Sequence, residues 1–398
     1  MEDEKRDTVK KQKRSAAGAR QVLKMFFFLA IGALAGFLSI WVLGVGRMKE
    51  MKFGIFLISY GLIFFGLVIW IFIHTILHEA GHLVCGLLSG YRYCSFRFGR
   101  FTLAKYPDGM KMKRFSIPGT VGQCLMAPPP YNDGSFPYTF YLLGGFMVNL
   151  ICAVVLFAVF LLAGSGSFAG RMLAAGGAMA LYLGIVNAVP AKSDIPNDGY
   201  QIFMLGKSKE ERRAFWESLE FNARLQQGTR LREIEKDWEA LDNETLVRQC
   251  EGMKGLTGLA MRYNYLLDTE RFAEAEDLCQ RLLKKGVSVD LYRKLFLGEA
   301  LYLELLLHGR TEEIERFATK EVLDFLKATA AVMPSSARTL YAYERLFRQE
   351  EKELAKAEKQ FADAVKNYPV LGELAQEQML VEKVDEVCQQ RQKTPDRV

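Results

Sequence analysis

The sequence predicts a mostly α-helical protein. A polytopic helical membrane domain with a small membrane-associated β-hairpin comes first, and a soluble α-helical hairpin-repeat domain follows. Three observations support this. Long uncharged apolar runs are confined to the first 191 residues. Polarity alternates with period two between about 93 and 118. From Gln201 onward, charged residues and leucines recur at helical spacing. The implied division is a basic cytosolic tail at 1–24, a membrane domain at 25–200, a soluble helical domain at 201–388, and a polar, disordered tail at 389–398.

Four spans are expected, at about 25–45, 54–89, 138–163 and 172–191. The first has 21 uncharged residues behind a tail carrying Lys5, Arg6, Lys10, Lys11, Lys13, Arg14, Arg20 and Lys24. Its apolar core is longer than that of a signal peptide and no small-residue cleavage site follows, so it reads as a retained span. The second would make a helix of roughly 55 Å at about 1.5 Å per residue, against a hydrocarbon core of about 30 Å. It must tilt, protrude or break. The fourth carries Ala174, Ala175, Gly176, Gly177 and Ala178, small residues that let helices approach closely.

Lysine and arginine counts orient the chain. The N-terminal tail has eight and the 91–137 segment seven, against four on the other side (Arg47, Lys49, Lys52 and Arg171). Both termini and the 91–137 segment are therefore expected in the cytosol of a multi-pass protein of a bacterial plasma membrane. The net charge of +6 is modest and sits partly in these flanks, and no nucleic-acid motif is present. The seven cysteines are scattered and form no C-x-x-C pair, which fits reduced thiols rather than a disulfide framework.

Between the second and third spans, Ser95-Phe96-Arg97-Phe98, Arg100-Phe101-Thr102-Leu103 and Met110-Lys111-Met112-Lys113 alternate in polarity around the turn signal Pro107-Asp108-Gly109. This predicts a hairpin over about 93–118 with one apolar face lying on or dipping into the bilayer, or else an amphipathic cytosolic loop.

The chemistry is concentrated at His78-Glu79-Ala80-Gly81-His82, inside the second span. An acidic residue near the bilayer centre costs roughly 2.5–3.5 kcal/mol, so such groups usually persist for function. Histidines at i and i+4 share a helix face and can reach one metal, and the intervening carboxylate can handle a proton. Of four histidines in the chain, three (His74, His78, His82) lie within nine residues. His74 continues the face but reads as a residue that supports the ligands from behind or only packs, and not as a ligand. A catalytic zinc normally has three protein ligands. The fourth histidine, His308, lies deep in the soluble half. A carboxylate is needed instead, and Asp194 and Asp198, just after the fourth span, are the candidates.

Taken together, these residues resemble the site-2 protease family of intramembrane zinc metalloproteases. That family pairs H-E-x-x-H with N-x-x-P and a following Asp-Gly at the end of a later span. Asn187-Ala188-Val189-Pro190 and Asp198-Gly199 match. Gly144-Gly145-Phe146-Met147-Val148-Asn149 resembles the family's middle-span motif, with Gly-Phe in place of Gly-Pro. Seven residues separate Pro190 from Asp198, where the family commonly has four. Asp194 is nearer that spacing but is followed by Ile195, whereas the glycine after Asp198 lets the chain turn beside a metal.

Over roughly residues 54–200 the resemblance implies Zn2+ held by His78, His82 and Asp198. It also implies Glu79 as general base, Asn187 contacting the substrate or oxyanion, and Asn149 and Pro190 in substrate binding. The expected activity is hydrolysis of peptide bonds in or near the transmembrane segment of a membrane-anchored substrate. The competing expectation is an inactive membrane scaffold that presents the helical domain to the cytosol. The family also has a β-sheet between its first two core spans, thought to bind unwound substrate as an added strand.

In the soluble half, Arg271–Cys279, Arg310–Phe317 and Glu353–Phe361 look alike, each after a Tyr- and Leu-rich stretch. Their spacing is somewhat longer than that of tetratricopeptide repeats. A degenerate array of helical hairpins is expected, with a cytosolic protein or peptide as partner, or else a plain bundle.

Overall fold

The computed structural model describes residues 33–34, 36–38, 40–42, 44, 52–115, 120–162, 167–191, 196–238, 240, 242–250, 252–287 and 289–393. Most of the span expected at 25–45, and the basic tail, lie outside the described residues. Among the described residues, three helices are long and apolar enough to cross a membrane: α1 (Phe53–Leu88), α2 (Tyr138–Leu162) and α3 (Phe168–Ala188). Large apolar side chains such as Phe53, Ile58, Leu62, Phe65, Leu161 and Leu162 stay exposed on them. An exposed apolar surface of this extent needs lipid or a partner to cover it. The second expected span is thus a single unbroken helix of 36 residues, so the mismatch with bilayer thickness is not met by a break.

The described residues form two compact units, divided within α1 between His78 and Glu79 and within α2 between Gly144 and Gly145. The first ends at His78 and resumes over Gly145–Asn187. Leu38, Val42, Ile63, Leu67, Ala175 and Met179 form its core. The small residues of α3 act there as the sequence suggests. A Cβ at Gly176 would come 2.5 Å from the Trp70 indole, and one at Gly184 would come 2.8 Å from Leu150. Close helix packing in an apolar solvent requires such positions. His74 is fully buried in this unit, with Nε2 3.0 Å from the Gly176 carbonyl and its ring stacked on Trp70.

The second unit comprises Glu79–Gly144 and the chain from Ala188 onward. Its sheet has four antiparallel strands: β1 (Arg92–Phe98), β2 (Phe101–Tyr106), β3 (Gly109–Arg114) and β4 (Gly122–Ala127), in the order β3-β2-β1-β4. The expected two-stranded hairpin over 93–118 is thereby corrected to a sheet reaching Ala127. The Pro107-Asp108-Gly109 turn joins β2 to β3, with Gly109 at φ +120°, a conformation that suits glycine. Phe96, Leu103 and Met112 share one face by register, and Phe101, Leu103, Met110 and Met112 are exposed on it. On the opposite face, the Tyr106 hydroxyl donates to the Pro369 carbonyl at 2.8 Å.

After α3 come α4 (Asp198–Lys207) and α5 (Lys209–Gln226). α5 packs on β4 through Ala223, and the Gln226 amide donates to the Cys94 carbonyl at 2.8 Å. The remainder is helical: α6 (Asn243–Gln249), α7 (Gly252–Asp268), α8 (Phe272–Lys285), α9 (Asp290–Leu307), α10 (Thr311–Phe317), α11 (Lys320–Thr329), α12 (Pro334–Tyr343), α13 (Glu351–Asn367) and α14 (Leu371–Lys393). Leu266, Leu278, Leu282, Leu301 and Tyr302 centre its core. The tail expected to be disordered from residue 389 is corrected in part. α14 runs to Lys393 because the Arg391 guanidinium donates to the Leu305 carbonyl at 3.0 Å. Residues 394–398 lie outside the described set. None of the seven cysteines is in a disulfide.

Candidate metal centre

His82 lies one helical turn beyond Glu79, where α1 meets the start of α2. Glycines make that meeting close. A Cβ at Gly144 would come 2.3 Å from the Gly81 carbonyl oxygen, so the residue before His82 and the first Gly of the Gly-Gly pair touch backbone to backbone. This brings the Tyr141 carbonyl within 2.9 Å of His82 Nδ1. An Nδ1–H donated to that carbonyl fixes the tautomer and leaves Nε2 with its lone pair. His82 Nε2 lies 3.5 Å from Asp198 Oδ2. That is long for a hydrogen bond and close to the separation of two ligand atoms each about 2.0–2.1 Å from one zinc. His82 and Asp198 are both buried.

Asp198 is the first residue of α4, and Asn197 is its N-cap. Asn197 Oδ1 accepts from the Tyr200 amide at 2.9 Å, and its Nδ2 donates to the Val189 carbonyl at 2.7 Å. One side chain therefore starts the helix and ties it to the Val189-Pro190 segment that follows α3. Sequence reasoning passed over Asn197, although Asn before Asp-Gly at a helix start is a capping signal. His78 is the residue just before the division between units and rides on the same unbroken helix as His82. Ligand atoms of His78, His82 and Asp198 all lie within 4.8 Å of one another. Two imidazoles and a carboxylate make a donor set suited to zinc, and a set of three leaves a coordination position open. The residues present fit the ion.

Glu79 lies against the edge strand β4. A Cβ at Gly122 would come 2.8 Å from both its Cγ and Oε1, so glycine there leaves room for the carboxylate. Behind that strand Arg97 is 2 % exposed, and its guanidinium donates to Thr120 Oγ1 and to the Gly122 carbonyl at 3.3 Å. Its positive charge and the negative charge of the Glu79 carboxylate attract each other. In the sequence Arg97 was only a flanking charge, and nothing in the pattern distinguished it.

Of the other expected site residues, Asn149 and Asn187 belong to the first unit. Asn149 is 1 % exposed, and Asn187 Nδ2 donates to the Leu183 carbonyl at 3.0 Å, within its own helix. Pro190 follows α3 in an exposed turn. Asp194 lies outside the described residues.

A second group with ligand spacing, Glu276, Glu304 and His308, is in the helical region. There Arg310 contacts both Glu304 oxygens, at 3.0 and 2.6 Å, and the His308 ring pairs with Glu276 at 3.0 Å. Ion pairing accounts for that cluster. No family model, curated protein or solved structure matches the chain.

Proposed function

We propose that the chain is an intramembrane zinc endopeptidase of the site-2 protease type. It hydrolyses peptide bonds in or near the transmembrane segment of a membrane-anchored substrate. The observation that carries this reading is the convergence of His78, His82 and Asp198, beside Glu79, at an apolar helix long enough to lie in a bilayer. When bound there, zinc supplies an acidified water and polarises a carbonyl. Glu79 accepts the proton of the attacking water and returns it to the leaving amine. Tyr141 holds the His82 ring through its carbonyl, and Gly122 leaves the Glu79 carboxylate its place against β4. Asn187 donates to the developing oxyanion, and Asn149 and Pro190 shape the substrate path.

In this reading the protein is multi-pass in a bacterial plasma membrane with both termini in the cytosol, and 25–45 supplies a fourth span. The exposed apolar face of the sheet rests on lipid. The C-terminal region is a degenerate array of helical hairpins (α7 with α8, α9 with α10, α12 with α13) that binds a cytosolic polypeptide. A scaffold has no use for two imidazoles and two carboxylates gathered in an apolar setting, where each is costly.

The test uses purified chain in proteoliposomes with a reporter protein carrying a transmembrane helix. Cleavage is expected, abolished by a zinc chelator and restored by added zinc. Cleavage insensitive to chelation, or none by zinc-loaded protein against a panel of helices, contradicts the proposal.

A further inference from the structure

A cavity of about 190 Å³ opens in the helical region, between α7, α9, the start of α12 and α14. Tyr263, Tyr292, Phe296 and Tyr368 supply aromatic walls, and half-exposed Asn264, Tyr292 and Ser335 form its mouth. Its lining contributes three carboxylates, Glu299, Glu373 and Glu377, and no cation. One buried guanidinium stands behind them. Arg338 is fully buried, with Nη2 2.5 Å from Glu299 and Nη1 3.2 Å from Glu377, and it lies 4.0 Å over the Tyr302 ring. Glu373 accepts the Tyr368 hydroxyl hydrogen.

Two of the lining groups are polar and nearly buried. Glu377 is 8 % exposed, and its buried Oε2 accepts no hydrogen bond, although it lies within ion-pair range of Arg338. Gln376, 4 % exposed, lines the cavity beside it. A buried polar atom such as Glu377 Oε2 is costly unless something pairs with it. The excess negative charge, the aromatic walls and the room for one long side chain describe what is missing.

We propose that this cavity is a receptor for one basic side chain, a guanidinium or an ammonium, presented by a polypeptide or by a free amino acid. Carboxylates supply charge-assisted acceptors, Gln376 supplies a neutral one, and the tyrosine faces hold the cation. The site is independent of the metal centre and stands whether or not the membrane domain hydrolyses peptides. Without a ligand a proton takes the cation's place. Burial, with Glu299 and Glu373 adding to it against the pull of Arg338, pushes Glu377 up to about 7. Burial raises Glu373 as well, against the Tyr368 hydrogen bond. Tyr263, which donates to Glu299, Tyr302, Tyr368 and Cys279 also face this network, and all stay neutral because burial raises them. A bound cation needs Glu377 ionised, so affinity rises with pH through about 7.

The test titrates the intact chain in detergent, by calorimetry, with end-blocked Gly-Arg-Gly, Gly-Lys-Gly and Gly-citrulline-Gly, and with free arginine. A cationic peptide is expected to bind, and the neutral citrulline peptide to bind at least about tenfold more weakly. Binding should weaken from about pH 8 to about pH 6, and Glu377→Gln should weaken it about tenfold. Ser335→Trp, which fills the mouth and leaves the buried network alone, keeps the test decisive if the glutamine variant misfolds. Free arginine binding as tightly as the peptide assigns the site to an amino acid, and weaker binding assigns it to a polypeptide; either result supports the receptor. No binding of either cationic peptide up to about 10 mM, equal binding of the citrulline peptide, or indifference to the substitutions overturns it.

Discussion

Glu79→Gln is expected to keep its zinc and lose cleavage by about 10³-fold or more, the scale of removing a general acid–base. The amide has the same shape as the carboxylate, so the place it occupies beside Gly122 is still filled and the packing of α1 on β4 is undisturbed. It is not one of the three residues whose ligand atoms converge, so metal content should match the wild type. What the substitution removes is the ability to take a proton and give it back. The measurement is paired: zinc per chain by elemental analysis, and reporter cleavage in proteoliposomes. Equal cleavage by the two proteins would remove Glu79 from the chemistry, whereas a parallel loss of zinc would make it a ligand.

Asp198→Ala is expected to weaken zinc binding by at least about 100-fold, since losing even a group behind a ligand costs about 10–100-fold. Asp194→Ala is expected to bind zinc like the wild type. The two aspartates are four residues apart, but the structure places Asp198 with its Oδ2 3.5 Å from His82 Nε2, at the capped start of α4. The fold should survive the substitution. Asn197 still caps the helix, and the first-turn carboxylate itself contributes only about 0.3–1 kcal/mol through the helix dipole. Zinc content and a thermal melt on each variant separate ligation from folding. Zinc kept in Asp198→Ala and lost in Asp194→Ala would exchange their roles.

What the sequence made legible follows from how local the signal is. The three apolar helices could be read because each is a continuous apolar run long enough to cross a bilayer, and their ends fall within a few residues of expectation. His78, Glu79 and His82 were legible because one helix fixes their geometry. The strand β4 was not. Cys124 and Met126 are buried on one face and Ala127 is buried with α5 on the other, so Gly122–Ala127 never alternates in polarity. Gly122 and Arg97 matter through contacts with residues far away in the chain, and no spacing rule reports those. The cavity in the helical region was invisible for the same reason. Glu299, Arg338 and Glu377 lie on three different helices, and only packing brings them together. The extent of α14 was missed because Arg391 looks like a tail charge, yet it docks on α9.

The central claim is a metal held by two imidazoles of α1 and the carboxylate that opens α4. X-ray absorption at the zinc edge of the purified chain tests it most directly. The account predicts about one zinc per chain with only nitrogen and oxygen neighbours at about 2.0–2.1 Å, two of them carrying imidazole outer-shell scattering. A sulfur shell at about 2.3 Å, which would bring in one of the free thiols, or a protein that takes up no zinc at all, would contradict it.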